Sequence, residues 1–251
     1  MNTRTSFFRN RLLLPSHRFM YRKAHGFTLV ELMLAIVVSS ILMAALYSAY
    51  VSQQRSQTAQ AQVVEMQQNA RAALEMMAAE VRMAGFDPSG SSGAGIVTAT
   101  RGRLQFTRDM NDNGPGSVPG DGDTSDANEN ITYGLSNAND VENDGIADAG
   151  VAPLGRDTGG GFMPVAENIE VVEFCYLVGD DLTLTVTPDP AKLDEIQAVT
   201  ISVLVRAAAA DPRYSSNGTY TMPSGAIRNV NDNFRRRLYT STVKLRNMGL
   251  L

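Results

Sequence analysis

The chain has 251 residues, of which 43% are hydrophobic and 19% charged, and this composition is typical of folded proteins. Its formal net charge of −4 is uneven, because residues 1–26 carry six bases and no acid. The remaining 16 bases face 26 acids, so residues 27–251 carry a net charge of −10. An acidic body of this kind argues against general binding to nucleic acid.

The histidines and the single cysteine restrict the available chemistry. His17 and His25 both precede a long apolar segment, and no histidine follows it. Catalytic sets that need histidine therefore have no donor in the larger part of the chain, and the glycines at 159–161 lack the lysine of a phosphate-binding loop. Cys175 lies in the apolar run 171–178, so we interpret it as a buried small side chain. We expect no enzyme activity.

The apolar segment covers residues 27–51 and contains one charged side chain, Glu31. Roughly 20 apolar residues are enough for a helix to span a bilayer. The basic residues upstream place the N-terminus in the cytoplasm. A secretory signal peptide is disfavoured because, around 47–51, large side chains occupy the positions where its cleavage site needs small ones.

Glu31 needs its own explanation. A carboxylate at the bilayer centre costs about 2.5–3.5 kcal/mol on insertion scales. A plain signal anchor gives no reason for such a residue in its apolar segment. Two interpretations stay open from the residues alone. Glu31 lies in the first helical turn, where the helix dipole favours an anion, or it is a functional group that acquires a partner.

The residues around Glu31 resemble the prepilin cleavage and methylation motif of type IV pilins and type II secretion pseudopilins. A basic leader ends in Gly26, Phe27 follows, and Glu31 is the fifth residue from Phe27. The resemblance implies that a prepilin peptidase cuts between Gly26 and Phe27 and that the new Phe27 amine is methylated. It also implies that Glu31 pairs with the N-terminal amine of a neighbouring subunit, since either charge alone would be costly in lipid.

The leader at 1–26 is long for the short-leader branch of this family. Met20 would begin a compact basic leader that ends at the same glycine. We predict that residues 1–19 are either an incorrect start assignment or a tolerated extension, so Met1 and Met20 both stay open as the start.

A long helix is predicted because neither glycine nor proline occurs from Phe27 to Ala84. Its membrane and assembly half is 27–51, and its amphipathic half is 52–86, ended by Gly85 and Pro88. Many major pilins carry a proline in the first half, so its absence favours a minor subunit. The residues at 82–86 resemble the helix end of PilW-like minor pilins. One stripe, predicted to dock on the head, has the spacing of a helical face: Ala70, Leu74, Met77, Val81 and Ala84.

Residues 87–251 are predicted to form a β-rich head. Alternating side chains, clearest at 196–206, indicate a sheet with one buried face. One long helix packed on an antiparallel sheet gives an α+β, pilin-like fold. The ending at 242–247 also resembles PilW-like sequences. The candidate strands are 103–107, 130–135, 169–177, 182–186, 196–206 and 237–246.

Polar, acidic loops are predicted at 109–161, with ten acids and no lysine or arginine between 109 and 148. The residues at 109–114 fit the opening of a calcium loop, although Gly120 occupies the twelfth position, where glutamate is expected. A second partial match lies at 140–145. These residues either bind Ca²⁺ or form solvated turns, which the same residue types favour. The candidate ligands are Asp109, Asn111, Asn113, Asp140, Glu142 and Asp144.

The resemblance predicts a minor pilin of a type IV pilus that acts in an initiating or tip complex. Its partners would be other pilin subunits, the prepilin peptidase and methyltransferase, and the inner membrane, with the head in the periplasm before assembly. A type II secretion pseudopilin shares the motif and the helix and stays an alternative. A tip-displayed adhesin or DNA-binding module is an alternative of another class. The arginines at 235–237 suit DNA or an acidic partner, or else form a charged strand entrance near the acidic loops.

Overall fold

The computed structural model describes residues 26–110, 120–179 and 183–248. The chain divides into two compact units, Met1–Gln53 and Gln54–Leu251, and helix α1 (Leu29–Val81) includes residues of both. The helix ends at Val81, before the predicted boundary at 86, and a turn follows at 82–85. Gly85 and its contact with the sheet explain the early end. Gly85 adopts a positive φ of 73°, and its N–H donates to the Thr107 carbonyl of the sheet.

In the first unit, the described residues form the apolar start of α1. Every residue from 26 to 50 is exposed in the isolated chain. The helix is long and apolar enough to cross a membrane. An exposed apolar surface of this extent needs lipid or other helices around it, because water is a poor solvent for it.

The second unit is built on an eight-stranded antiparallel sheet. Its strands are β1 (Ile96–Ala99), β2 (Arg103–Thr107), β3 (Asn130–Leu135), β4 (Ala152–Asp157), β5 (Met163–Val178), β6 (Leu184–Thr185), β7 (Ile196–Arg206) and β10 (Arg236–Lys244). The order is β1-β2-β3-β4-β5-β7-β10, and β6 pairs with β5. A separate hairpin consists of β8 (Thr219–Thr221) and β9 (Ile227–Asn229), and a short 3-10 helix covers Pro190–Lys192.

The predicted strands correspond to the observed ones with three differences. Strands β2, β3 and β7 have the predicted bounds, whereas β5 starts six residues earlier and β10 runs from Arg236 to Lys244. The predicted strand at 182–186 has only two paired residues, and residue 182 lies outside the described ones. Strands β1, β4, β8 and β9 were not predicted. The α+β class, with one long helix packed on an antiparallel sheet, is confirmed.

The core lies between α1 and one face of the sheet. All five residues of the predicted stripe are buried, and Met66 and Ala73 extend it. On the sheet side, the largest buried side chains are Tyr133, Tyr176, Phe106 and Phe174. The stripe therefore docks the helix on the head, as predicted, through burial of apolar surface.

The prediction of a sheet with one buried face is wrong for β7. Leu204 points away from the main core and is fully buried, in a second apolar cluster with Val171 and Met222. The cluster forms because the chain between β7 and β10 folds back as the β8–β9 hairpin. Its turn is held by Glu173, whose carboxylate accepts bonds from the N–H and hydroxyl of Ser224 at 3.1 and 2.7 Å.

Candidate functional site

The single charge of the apolar segment is held by its own helix start. Glu31 Oε2 accepts hydrogen bonds from the Thr28 N–H at 2.9 Å and from the Thr28 hydroxyl at 3.0 Å. In return, Thr28 Oγ1 accepts the Glu31 N–H at 3.2 Å. This reciprocal pair is a capping box, which satisfies donors that a helix start leaves open.

The cap leaves half of the carboxylate available. Oε1 of Glu31 has no hydrogen-bond partner within the described residues, and Phe27, four residues away in sequence, is exposed. The capped geometry therefore leaves one carboxylate oxygen available to a cation in the lipid that the apolar segment would occupy. A cation in the same low-dielectric surroundings would be a strong partner for it.

A second polar network attaches the end of α1 to the sheet. Arg156 of β4 donates to both oxygens of Glu80, each at 2.9 Å, and the Tyr133 hydroxyl of β3 donates to the same carboxylate. Arg108 adds a charge at 3.8 Å. Burial, together with the bond to Glu80, raises the pKa of Tyr133 above its ordinary value, so the phenol stays a donor. The network positions the helix on the head.

Cys175 is fully buried, as predicted. Burial raises the pKa of its thiol to about 12, and the negative charge of the nearby Glu173 contributes to the same shift. A thiol that remains protonated at neutral pH is a poor nucleophile, so Cys175 does not supply covalent chemistry here.

The first candidate calcium loop is only partly described, because Asn111 and Asn113 lie outside the described residues. Asp109 is fully buried. Its two carboxylate oxygens accept the N–H groups of Asp121 and Gly122 at 3.0 and 3.1 Å. Asp109 therefore closes the loop on itself through backbone donors.

The second candidate loop behaves in the same way. Asp140 accepts the N–H groups of Asp144 and Gly145 at 3.0 Å each, and Asp144 accepts the Ile146 N–H at 2.8 Å. Glu142 is exposed. Across the described ranges, no three His, Cys, Asp or Glu side chains are grouped so as to hold a metal ion. Calcium binding stays a prediction from the sequence.

The arginines at 235–237 are mostly engaged within the head. Arg235 donates to Asp211 at 2.9 Å. Arg236 is buried and donates to Asp232 and Glu170. The acids that pair with them lie at 170–232, outside the loops at 109–161. The third arginine of the run is exposed.

Two family models match the chain. Residues 21–47 match the prokaryotic N-terminal methylation motif, which contains the Gly26–Phe27 junction and Glu31. Residues 130–247 match type IV pilus-assembly protein W, PilW. No curated protein matches the chain. Among solved structures, a type IV-like pilin from Thermus thermophilus is similar, with 14% identity, a TM-score of 0.45, and coverage of 72% of this chain and 97% of that one.

A methylation motif, an apolar helix start and an antiparallel sheet docked on the same helix define a type IV pilin-like protein. The chain is a PilW-like minor pilin that takes part in type IV pilus assembly. The match to PilW over residues 130–247 favours this role over that of a type II secretion pseudopilin, for which the sequence offers only the shared motif and helix. It points to a structural subunit and not to an enzyme. Membrane anchoring, interaction with other pilins and processing by a prepilin peptidase follow from the same matches.

Proposed function

We propose that a prepilin peptidase cleaves this chain between Gly26 and Phe27, that the new Phe27 amine is methylated, and that the subunit joins an initiating or tip complex through Glu31. Before assembly, α1 would anchor the chain in the inner membrane with the head in the periplasm. The basic charge at 1–26 and its scarcity directly after the apolar segment support this orientation.

The half-occupied carboxylate of Glu31 carries the proposal. Its Oε2 is bound by Thr28, its Oε1 has no partner among the described residues, and the next charged residue along the chain is Arg55. An ammonium from a neighbouring subunit would complete the pair in lipid. Because each charge is costly alone, the contact would set the axial register between subunits.

Cleavage is tested by Gly26→Val. Apart from its chain neighbours, no described residue has an atom within 4 Å of a side chain at this position, so the substitution leaves the fold of the described chain intact. We expect the uncleaved precursor to accumulate, because a branched side chain at the junction obstructs the peptidase. Mass spectrometry of the N-terminal peptide is the measurement, and wild-type protein should yield a peptide that begins with methylated Phe27. Equal processing of wild type and Gly26→Val would overturn the assigned junction.

The capping role of Thr28 gives a second prediction. Thr28→Val removes the hydroxyl that both donates to and accepts from Glu31, and loss of such a cap costs about 1 kcal/mol. We expect the ratio of filament-bound to membrane-bound subunit to fall about fivefold, because Glu31 is less firmly oriented. Thr28→Ser keeps the hydroxyl and is the matched control. An unchanged ratio in Thr28→Val would show that the cap does not position Glu31 for assembly.

A further inference from the structure

One long edge of the sheet has no neighbouring strand within residues 26–110, 120–179 and 183–248. Strand β10 pairs with β7 on one side, over nine residues without a register shift. At the opposite edge, β1 has four residues, and a bulge interrupts its pairing with β2. Short, bulged edges discourage further pairing, whereas a long regular edge is a template for another strand. The two edges therefore differ in their capacity to accept a partner.

The backbone of β10 shows which groups are free. The Leu245 N–H donates to the Gln197 carbonyl, and the Ala207 N–H donates to the Arg235 carbonyl, each at 2.8 Å. Since bonded pairs alternate in an antiparallel ladder, odd-numbered residues of β10 bond to β7, and even-numbered residues direct their N–H and C=O groups away from it. Over the part of the chain that the structure describes, the outward groups of Leu238, Thr240 and Thr242 have no hydrogen-bond partner.

The side chains along this edge limit the kind of partner. Thr240 and Thr242 are exposed and already bond to Ser202 and Thr200 at 3.0 Å each, so they are held in place. Arg237 and Lys244 stand near the two ends of the strand, are exposed, and form no ion pair with any described residue. Cations at an edge attract an acidic strand and repel a basic one, and here they lie on a body whose net charge is −10.

From the edge geometry and its charges, we infer that β10 accepts an extended, acidic segment of another pilin subunit as an added strand. The inference rests on the proposed function, which brings pilin heads together. Main-chain hydrogen bonds from the even-numbered residues would supply the affinity. Arg237 and Lys244 would select the acidic sequence.

The experiment places a photo-reactive amino acid at Thr240 of the full chain, in cells that assemble filaments. A second chain carries the same amino acid at Leu46, which is 65% exposed in the apolar segment, as a reference for assembly. Adducts are identified by mass spectrometry. We expect an adduct at Thr240 with an acidic segment of a pilin-class subunit, as well as a pilin adduct at Leu46.

The outcomes separate this inference from the proposed function. An adduct at Leu46 alone overturns the inference and leaves the assembly role standing. Adducts at neither position overturn both. A Thr240 adduct with nucleic acid or with a protein of another class overturns the stated partner.

Two variants in the Thr240-labelled chain test the mechanism. Thr242→Pro removes an outward N–H that β7 does not use, so the ladder stays intact and the adduct yield should fall about fivefold or more. Thr242→Val keeps the N–H and should retain the adduct. Joint replacement of Arg237 and Lys244 by glutamate should also lower the yield, because it repels an acidic segment. Unchanged yields in both the proline and the charge-reversed chains would overturn strand addition.

Discussion

Glu31→Ala is expected to leave the protein cleaved and membrane-anchored but to remove it from filaments. In the proposed complex, Glu31 is the counter-ion of a neighbouring N-terminal amine, and removing one partner of a buried ion pair costs about 3–5 kcal/mol. The filament-bound fraction should therefore fall about a hundredfold or more. The measurement is quantitative immunoblotting of sheared filaments against the membrane fraction.

Matched variants separate the charge from the cap. Glu31→Gln keeps an oxygen that can accept from Thr28 but removes the negative charge, so it should be nearly as defective as alanine if the ion pair matters. Glu75→Ala removes an exposed acid from the same helix beyond the apolar segment and should assemble normally. Normal incorporation of Glu31→Ala into filaments would overturn the assembly role of Glu31, and the chain would then be only a tethered envelope protein.

The helix and its docking stripe were predictable because their causes are local. An absence of glycine and proline over 27–84 permits a continuous helix, and the apolar spacing marks the face that meets the sheet. The helix end was predicted late because Gly85 bonds to Thr107, a contact with a distant residue. The capping box at Thr28 was also local, and its T-x-x-E signature is readable from the sequence.

The remaining strands depend on neighbours that the sequence pattern does not reveal. Strand β4 contains Pro153 and Gly155, which usually argue against a strand. Gly155 is nevertheless required there, because the Phe162 ring lies where its side chain would be. The alternating side chains of β7 predict one buried face, yet the β8–β9 hairpin covers the other face as well. Such covering elements come from elsewhere in the chain and change burial without changing the local pattern.

The buried ion network of the second face was equally invisible. Glu170 of β5 and Arg236 of β10 are 66 residues apart in sequence and meet only because both strands flank β7. Their side chains are 3% and 2% exposed, so the charges are almost fully removed from water. A run of three arginines suggests a surface patch, whereas its middle member is an internal structural residue.

Arg236→Met is expected to destabilise the head by about 3 kcal/mol, because it leaves Glu170 buried with a weakened set of partners. Arg228 still reaches Glu170 at 3.3 Å, which keeps the cost at the low end of the range for a broken buried pair. Adding Glu170→Leu to Arg236→Met should recover most of the loss, since an apolar pair of similar volume is often neutral. Urea unfolding of the full chain in detergent measures the free energy of unfolding of each variant.

The pH dependence of unfolding tests the same ion network independently. Hydrogen bonds from Arg236 lower the pKa of Asp232 to about 2 against an ordinary value of 3.8. A carboxylate with a depressed folded-state pKa contributes stability above its unfolded pKa, and this contribution is lost as the pH falls through the folded value. The wild type should therefore lose stability between about pH 4 and pH 2, and Arg236→Met should lose less over that interval.

Arg237→Met is the matched control, because Arg237 is an exposed neighbour on the same strand. It should change stability by less than about 0.5 kcal/mol and keep the wild-type pH profile. If the Arg236 and Arg237 variants were equally stable, the buried charges would contribute nothing to the head, and apolar packing alone would hold β5, β7 and β10 together.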